Sequence, residues 1–328
     1  MNSASDPFVL RDPASLPARL RGGALAIGNF DGVHLGHRAV LDRTIAIARQ
    51  AGVASLALTF EPHPRSFFRP EAPVFRLTPS PVKADLIAAL GFDGMVELGF
   101  DADLAGLAPD DFVARILVGR LGARHVVVGH DFHYGRKRAG SPQSLIAEGE
   151  RHGFEVTVVA PARAGDTLYS SSEARARLAE GRVEAAAEIL GYPWFVRGTV
   201  LPGARRGREL GYPTANLQLA ANCELRHGVY AVRVRLGETT LDGVASYGRR
   251  PQFDDGAPLL EVYLFDFEGD LYGRELDVAF IGFLRDEARF EFVEALIRQM
   301  DEDARAARTR LAAEPETTLP PSAANRTG

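Results

Sequence analysis

Between Ala24 and Tyr192, short apolar runs alternate with helical patterns, and this alternation restricts the fold more than any other feature of the chain. The predicted strands span residues 24–29, 55–60, 95–98, 125–129 and 155–159, and the predicted helices span residues 37–51, 81–90, 109–121 and 141–152. Such alternation is typical of an α/β fold with a doubly wound, mostly parallel sheet. Ligands bind to these sheets at the carboxyl ends of the strands, so the loops after the apolar runs are candidate sites.

Turn-forming and capping residues support these helix limits. Ser80 and Ser141 are available as caps for helices that begin at the prolines next to them. Glycines follow the predicted helix ends at positions 52, 91, 122 and 153, where a left-handed C-cap is common.

After Phe195 the pattern changes to short alternating strands separated by Gly-rich and Asp-rich turns. The predicted strands span residues 195–201, 228–236, 239–246, 259–267 and 276–281. This pattern predicts a small antiparallel β-barrel. A helical pair over residues 171–180 and 183–191 precedes it, and a final helix over residues 286–310 follows.

The predicted organisation is therefore a leader over residues 1–23, a doubly wound α/β (Rossmann-like) domain over residues 24–192, a β-barrel domain over residues 193–312 and a tail over residues 313–328. We expect the leader to hold a short helix or turn at most. The tail is rich in Pro, Thr, Ser and Ala, a composition that predicts disorder.

Charge and cysteine content narrow the function classes. The net charge of −5 and the isoelectric point of about 5.9 give no support to a nucleic-acid binder that acts through bulk charge. The single cysteine, Cys223, excludes an internal disulfide and a cysteine-based metal cluster. The first 25 residues hold no apolar run of signal-peptide length, and no stretch approaches the ~18 apolar residues of a membrane span. We expect a cytoplasmic protein, monomeric or weakly homo-oligomeric, without membrane or nucleic-acid partners.

The sequence GNFDGVHLGH at residues 28–37 joins the first strand to the first helix. A Gly-rich turn of this kind directs backbone N–H groups and the positive end of a helix dipole at an anion. Gly36 would let a phosphate approach the backbone, and His34 and His37 would supply imidazole donors. The same residues also fit a tight turn that carries two surface histidines, and the turn alone does not decide between the two interpretations.

Further polar groups could complete an ATP site around this turn. Ser171 and Ser172, with Arg175 one helical turn later, resemble an anion cradle at a helix N-terminus, although one serine would serve as a simple N-cap. Asp131, Asn29 and Asp31 stand near strand ends, where turn chemistry is the competing explanation.

The barrel region has its own candidate site. Residues 198–211 hold four glycines and three arginines, which suit a flexible flap that attracts anions. Thr214 and Asn216 then offer two oxygen ligands suited to Mg²⁺. Glu261 begins an apolar and aromatic strand, where it could be a general base or a solvent-facing residue in strict alternation.

Taken together, these segments resemble the bacterial bifunctional riboflavin kinase/FAD synthetase family, and the resemblance covers residues 24–310. The adenylyltransferase motifs are GNFDGVHLGH at 28–37, FEPHPR at 60–65, VGHDFHYG at 128–135 and SSEAR at 171–175. The kinase motifs are GYPTAN at 211–216, Glu261 followed by LYG at 271–273, and RDE at 285–287. Ala174, Ser246 and Gln252 depart from the residues usual in the family.

The resemblance implies two reactions in sequence. The barrel would phosphorylate riboflavin with ATP and Mg²⁺, and the α/β domain would then transfer AMP from ATP to FMN, giving FAD and pyrophosphate. In the adenylyltransferase it implies catalytic roles for His34 and His37. The implied ATP ligands there are Gly28, Asn29, Phe30, Asp31, Gly36, Ser171, Ser172 and Arg175, and the implied FMN ligands are His63, Pro64 and Asp131.

In the kinase the resemblance implies that Glu261 is the base and that Thr214 and Asn216 hold the metal ion. The implied ATP ligands are Gly198, Gly203, Arg208, Gly211, Pro213 and Thr214, and the implied flavin ligands are Arg285 and Glu287.

Three alternatives stay open at this point. The chain could be an FMN adenylyltransferase alone, with a barrel that only binds flavin, as the departures at Ser246 and Gln252 suggest. It could be a nucleotidyltransferase that builds another dinucleotide cofactor. It could also be a binding protein whose barrel grips RNA, which the acidic isoelectric point disfavours.

Overall fold

Six parallel strands form the sheet of the first of two compact units. The computed structural model describes residues 8–164, 167–202, 211–249, 258–314 and 319–320. The chain divides into one unit of residues 1–74 and 78–170 and a second of residues 75–77 and 171–328. The first sheet has the order β1-β4-β3-β2-β5-β6, and all neighbouring strands are parallel. Its strands are β1 (Val9–Arg11), β2 (Ala24–Ile27), β3 (Ser55–Glu61), β4 (Gly94–Gly99), β5 (His125–Gly129) and β6 (Glu155–Val159).

The helices of this unit follow the strands, as the alternating pattern predicts. They are α1 (Leu35–Ala51), α2 (Pro64–Phe68), α3 (Ser80–Ala89), α4 (Ala102–Gly106), α5 (Pro109–Asp111) with its π-helical continuation Phe112–Arg120, and α6 (Pro142–His152). Short 3-10 turns cover Ala18–Leu20 and Arg136–Arg138, and a small hairpin pairs β7 (Arg163–Ala164) with β8 (Thr167–Leu168). The predicted α/β fold is confirmed.

The structure corrects two sequence predictions in this unit. The leader contains a strand, β1, because Val9 and Leu10 pair with β4 and the Arg11 guanidinium pairs with the Glu97 carboxylate at 3.0 Å. Ser141 caps α6 within a capping box, as predicted. The predicted cap at Ser80 is wrong: Ser80 is the first residue of α3, and its hydroxyl donates a hydrogen bond to Glu97.

Six antiparallel strands form the barrel of the second unit, which confirms the predicted architecture. They are β9 (Phe195–Thr199), β10 (Thr214–Gln218), β11 (Gly228–Leu236), β12 (Thr239–Arg249), β13 (Pro258–Leu264) and β14 (Glu275–Arg285), in the order β10-β13-β12-β11-β14-β9. The two edges meet at one bridge, where Leu201 N donates to Asn216 O at 2.9 Å. Five of these strands were predicted from the sequence, and β10 was missed, because Thr214 and Asn216 were interpreted only as ligands.

The described residues of the second unit include the helices α7 (Ser171–Ala179), α8 (Val183–Leu190) and α9 (Val293–Ala313). Helix α9 packs on β11, β12 and β14, and α8 packs on β14. The compact units divide between Ser170 and Ser171, so α7 and α8 lie in the same unit as the barrel. The sequence instead predicted a domain boundary at 192/193, after this helical pair. The functional domain limits stay a prediction.

The C-terminal segment contacts the barrel where the structure describes it. The Arg233 guanidinium donates to the carbonyls of Leu311 at 2.9 Å and Glu314 at 3.2 Å. The Arg235 guanidinium donates to the carbonyls of Leu319 and Pro320, and Leu319 is buried. This part of the tail is therefore packed against β11, in contrast to the predicted disorder.

Asp277 holds two arginines together on the barrel. Its carboxylate is buried and accepts from Arg197 Nε at 2.6 Å and from Arg235 Nε at 3.1 Å. We expect Asp277→Ala to lower the free energy of unfolding by about 3–5 kcal/mol, because it removes the carboxylate that pairs with the buried Arg235 guanidinium. Urea unfolding measures the change, and Asp266→Ala, which breaks an exposed pair with Arg308, is the control. Equal losses in the two variants would contradict this account.

Candidate active sites

The turn between β2 and α1 has an unusual backbone that its neighbours hold in place. Phe30 has φ 49°, Val33 has φ 38° and Gly32 has φ 84°, all in the left-handed region. Gly32 N donates to Thr78 Oγ1 at 2.7 Å, and the buried Asp31 carboxylate accepts from Thr78 N at 3.0 Å. The buried Asp31 carboxylate therefore stabilises the turn. This is the turn-forming role that the sequence analysis named as the alternative to ATP binding.

His34 and His37 are stacked at the start of α1. Their ring centroids lie 3.6 Å apart with planes at 21°. His34 is buried and caps the helix, because its Nδ1 accepts from His37 N at 3.2 Å. With Nδ1 as the acceptor, a neutral His34 ring carries its proton on Nε2 and presents that N–H as a donor. The histidines thus combine an imidazole donor with the positive end of a helix dipole.

The glycines of the turn are required by close packing. A Cβ on Gly36 would lie 2.8 Å from the Tyr169 carbonyl oxygen and 3.0 Å from the His34 ring. A Cβ on Gly28 would lie 2.9 Å from the Phe30 ring. Gly36 therefore serves the packing of Tyr169 and His34 in this structure, a requirement that the sequence analysis did not foresee.

Two further predicted loops lie at the same edge of the sheet, because β3 and β5 flank β2 in parallel. After β3, His63 caps α2 by accepting from Arg65 N at 3.1 Å, and Pro64 is the first residue of that helix. After β5, Asp131 is exposed beside His130, with 4.0 Å between its Oδ1 and the His130 Nδ1. The fold thus brings the predicted FMN ligands to the edge that carries the histidines.

The predicted phosphate cradle lies at the start of α7, in the second unit. Ser171 and Ser172 are its first two residues. Arg175 Nε donates to the Phe75 carbonyl at 2.6 Å within the same unit, and Ala174 is buried. The backbone of residue 75 therefore fixes the direction of the Arg175 guanidinium.

The predicted kinase residues form one row across three strands of the barrel. Glu261 on β13 is directly opposite Asn216 on β10 and opposite Ser246 on β12. Thr214 is opposite Tyr263, two residues along each strand, so it shares a face with Asn216. Directly opposed side chains have Cβ atoms about 4.5–5.5 Å apart, which puts the Glu261 carboxylate beside the Asn216 amide. Glu261 follows the predicted alternation, since it is half-buried between the buried Leu260 and Val262.

Asn216 fits a metal ligand. Its side chain is buried, and among the residues that the structure describes its Oδ1 atom has no hydrogen-bond partner. A buried amide oxygen normally accepts a hydrogen bond, so a missing acceptor contact calls for an explanation. A hard oxygen next to the Thr214 hydroxyl is the donor type that Mg²⁺ prefers.

The remaining predicted kinase residues have differing surroundings. Gly198 lies on β9, where a Cβ would be 3.1 Å from the Leu217 side chain, and Gly211 has φ 84° before Pro213. Gly203 and Arg208, together with Gln252, lie outside the described residues.

The predicted flavin ligands stand at the end of β14. The Arg285 guanidinium binds the Asp303 carboxylate through two bonds of 2.7 and 2.6 Å, which ties β14 to α9. The Glu287 carboxylate covers Gly248, where a Cβ would lie 1.8 Å from its Oε1. Glu287 therefore lies over β12, two residues beyond Ser246.

A cavity of about 470 Å³ opens beside the kinase row, and the sequence analysis missed it. It is lined by Gly211, Tyr212, Tyr263, Phe265, Asp301, Ala304, Arg305 and Arg308. The Tyr212 hydroxyl donates to Asp301, and burial together with that carboxylate raises the pKa of Tyr212 to about 12. The aromatic residues at 263 and 265, in alternation with Glu261, were the available signal.

Two more residues behind the turn were missed. Lys83 on α3 is fully buried, and its Nζ donates to Thr59 Oγ1 at 2.8 Å and to the Asn29 carbonyl at 3.2 Å. A lysine among the apolar residues of a predicted helix was the signal for it, whereas nothing in the sequence singled out Thr59.

Comparison with known proteins covers both units. The family model for FAD synthetase matches residues 16–173, and the model for riboflavin kinase matches residues 190–311. A bifunctional riboflavin kinase/FMN adenylyltransferase of Listeria monocytogenes is 40% identical over 284 residues, covering 85% of this chain and 89% of that protein. The protein of the same name from Pseudomonas fluorescens is 42% identical over 289 residues, covering 88% of this chain and 93% of its own length.

A solved structure from Streptococcus pneumoniae, described as a macrolide-efflux protein, has a TM-score of 0.82 and 26% sequence identity. It covers 92% of this chain and 99% of its own length, so the fold is shared along nearly the whole chain. In the part of this chain that the structure describes, no helix is long and apolar enough to cross a membrane.

These comparisons decide among the interpretations left open by the sequence. Because the riboflavin kinase model matches the barrel, neither a barrel that only binds flavin nor an RNA-binding module is favoured. Because the FAD synthetase model matches the α/β domain, an enzyme for another dinucleotide is not favoured either. The chain belongs to the family of bifunctional riboflavin kinase/FMN adenylyltransferases, which phosphorylate riboflavin to FMN and transfer AMP from ATP to FMN to give FAD.

Proposed function

We propose that riboflavin is phosphorylated at the row formed by Asn216, Glu261 and Ser246. The observation that carries this proposal is the register that sets Glu261 opposite Asn216. Glu261 takes the proton from the ribityl 5′-hydroxyl, and Thr214 and Asn216 hold Mg²⁺. The ion, when bound, neutralises charge on the phosphates of ATP, which phosphoryl transfer needs more than covalent help.

The remaining kinase residues surround this row in the proposal. Gly198, Gly203, Arg208, Gly211 and Pro213 bind the phosphates of ATP, and Arg285 and Glu287 bind the flavin. We place the nucleoside part of ATP in the cavity, which Gly211 and Tyr212 border just before Thr214. Tyr263 offers an aromatic ring there for a purine, whereas the Phe265 ring is covered by the Arg308 guanidinium at 4.2 Å.

AMP transfer is assigned to the edge of the parallel sheet that carries the β2–α1 turn. The α-phosphate lies over Gly28, Asn29, Phe30, Asp31 and Gly36, where His34 and His37 stabilise its developing charge. Ser171, Ser172 and Arg175 hold the departing phosphates, while His63, Pro64 and Asp131 bind FMN. The chain needs no side-chain nucleophile, because the phosphate oxygen of FMN attacks the α-phosphate itself.

We further propose that the protein acts in the cytoplasm as a monomer or weak homo-oligomer, with small molecules as its partners and without nucleic acid. The net charge of −5 and the single cysteine support this proposal.

The role of Glu261 predicts a selective loss of one reaction. Glu261→Gln keeps the shape of the side chain and removes the base, so FMN formation from riboflavin and MgATP should fall by about 10²-fold or more. Conversion of added FMN to FAD should continue at the original rate, as flavin products separated over time would show. Glu275→Gln, on the exposed start of β14, is the matched control. Parallel loss of both reactions in a folded Glu261→Gln protein would refute separate sites.

The role of Asn216 predicts a changed metal requirement. Asn216→Leu removes the buried oxygen, so the Mg²⁺ concentration that half-activates riboflavin phosphorylation should rise by about tenfold, while Asn216→Asp keeps an oxygen ligand and activity. Gln218→Leu, two residues further on the same strand and exposed, should leave the Mg²⁺ titration unchanged. An unshifted titration in Asn216→Leu would remove this residue from the metal site.

The role of His34 can be separated from its role as a helix cap. His34→Asn retains an oxygen that can cap α1 but removes the imidazole donor, so AMP transfer to FMN should slow by about 10²-fold. FMN should then accumulate from riboflavin. His152→Asn near the end of α6 is the control, and FAD formed at the normal rate by His34→Asn would exclude the imidazole from the mechanism.

A further inference from the structure

Lys83 is a charged residue in the interior of the α/β unit. It stands in the first turn of α3, and its side chain is fully buried, as are Val82 and Ile87 on the same helix. Moving an ammonium group out of water is unfavourable unless strong polar contacts compensate for it, so an apolar side chain would be easier to accommodate. The contacts of the ammonium therefore indicate why a lysine occupies this position.

Two contacts of the ammonium lead to one carbonyl. Lys83 Nζ donates to the Asn29 carbonyl at 3.2 Å and to Thr59 Oγ1 at 2.8 Å, and Thr59 Oγ1 itself donates to the Asn29 carbonyl at 3.2 Å. Lys83 and Thr59 thus hold the same backbone oxygen from two sides. A hydrogen bond from a charged donor is the stronger kind, which makes the lysine the main restraint on this oxygen.

The Asn29 carbonyl comes directly before the part of the turn that has strained backbone angles. The next residue, Phe30, has φ 49°, and Val33 follows with φ 38°. Non-glycine residues keep such angles only where the surrounding structure determines them. Thr78 holds the middle of the turn through Gly32, and Lys83 holds its first residue, so one segment of chain fixes the turn at two points.

We propose that Lys83 is a positioning residue for AMP transfer. By fixing the Asn29 carbonyl it sets the direction of the backbone N–H groups and of His34, and its charge lies behind the turn where ATP phosphates are placed. This inference rests on the proposed assignment of AMP transfer to the turn. A residue with this role sets the affinity for ATP without touching the nucleotide.

Lys83→Met tests the proposal, because methionine has a similar length and no charge. We expect the KM for ATP in FMN adenylylation to rise about tenfold or more, with the KM for FMN unchanged. Riboflavin phosphorylation by the same chain should be unaffected, which makes it an internal measure of intact protein. A purely structural role would instead reduce the active fraction, so kcat would fall while the KM for ATP stayed constant.

Thr59→Val keeps the proposal testable if Lys83→Met does not fold. It removes the second donor to the Asn29 carbonyl with little change of volume, and it should raise the KM for ATP in the same direction by a smaller factor. In the double variant the two effects should be non-additive, since both residues act through one carbonyl. Independent effects, or an unchanged KM in Thr59→Val, would overturn the proposal.

Asp93→Ala is the matched control in the same unit. The Asp93 carboxylate accepts from Ser55 N at 2.8 Å and Ser55 Oγ at 2.9 Å, at the amino end of β3, away from the turn. It should lower stability and leave the KM for ATP unchanged. The same rise in KM in Asp93→Ala would overturn the inference. If His34→Asn leaves AMP transfer intact, the assignment of the turn fails; if His34→Asn impairs it and Lys83→Met does not, only the role of Lys83 fails.

Discussion

Parallel pairing of β2 with β3 and β5 is the constraint on which the proposed adenylyltransferase site depends. Parallel strands end at the same edge of a sheet, so the turn after β2 and the loops that carry His63 and Asp131 meet there although they are far apart in sequence. The strands are buried, which fixes this alignment through core packing. The site residues can therefore be polar, because the apolar strands beneath them supply the stability.

In the barrel, the register of the strands aligns the proposed site residues, as the shared strand edge does in the α/β unit. Antiparallel pairing sets Asn216 opposite Glu261, and a shift of β13 by one residue would turn Glu261 to the face opposite that of Asn216. The buried residues Leu260 and Val262 prevent such a shift, because it would expose them. Closure at Leu201 and Asn216 then brings the end of β9 to the same position. The core thus determines the spacing between the proposed base and the proposed metal ligand.

The architecture could be predicted from the sequence because the patterns that indicate its strands and helices lie within short segments of the chain. Runs such as His125–Gly129 and Gly228–Leu236 were predicted with the limits that the structure has. β1 has only three residues, too few for a detectable period, and it forms by pairing with a strand more than eighty positions away. β10 was missed because its Thr-Ala-Asn sequence is that of a polar motif, and its strand conformation comes from pairing with β13.

The sequence identified which residues belong to the candidate sites, but it did not predict the structural role of each one. Asp31 and Gly36 belong to the signature turn, yet the structure uses the first to hold Thr78 and the second to admit Tyr169. Arg285 likewise ties β14 to α9 through Asp303. Such roles depend on partners distant in sequence, which no local pattern encodes.

The two units solve the same electrostatic problem by different means. Both must bind a polyphosphate, and in each the anion meets groups whose positions are fixed before it arrives. In the α/β unit we propose backbone N–H groups and an imidazole at a helix N-terminus for this role, in a turn held by a buried network around Thr78 and Lys83. In the barrel we propose oxygen ligands for a cation, which strand register positions. A strained turn requires such a network because it lacks the regular backbone pairing that keeps β10 and β13 aligned.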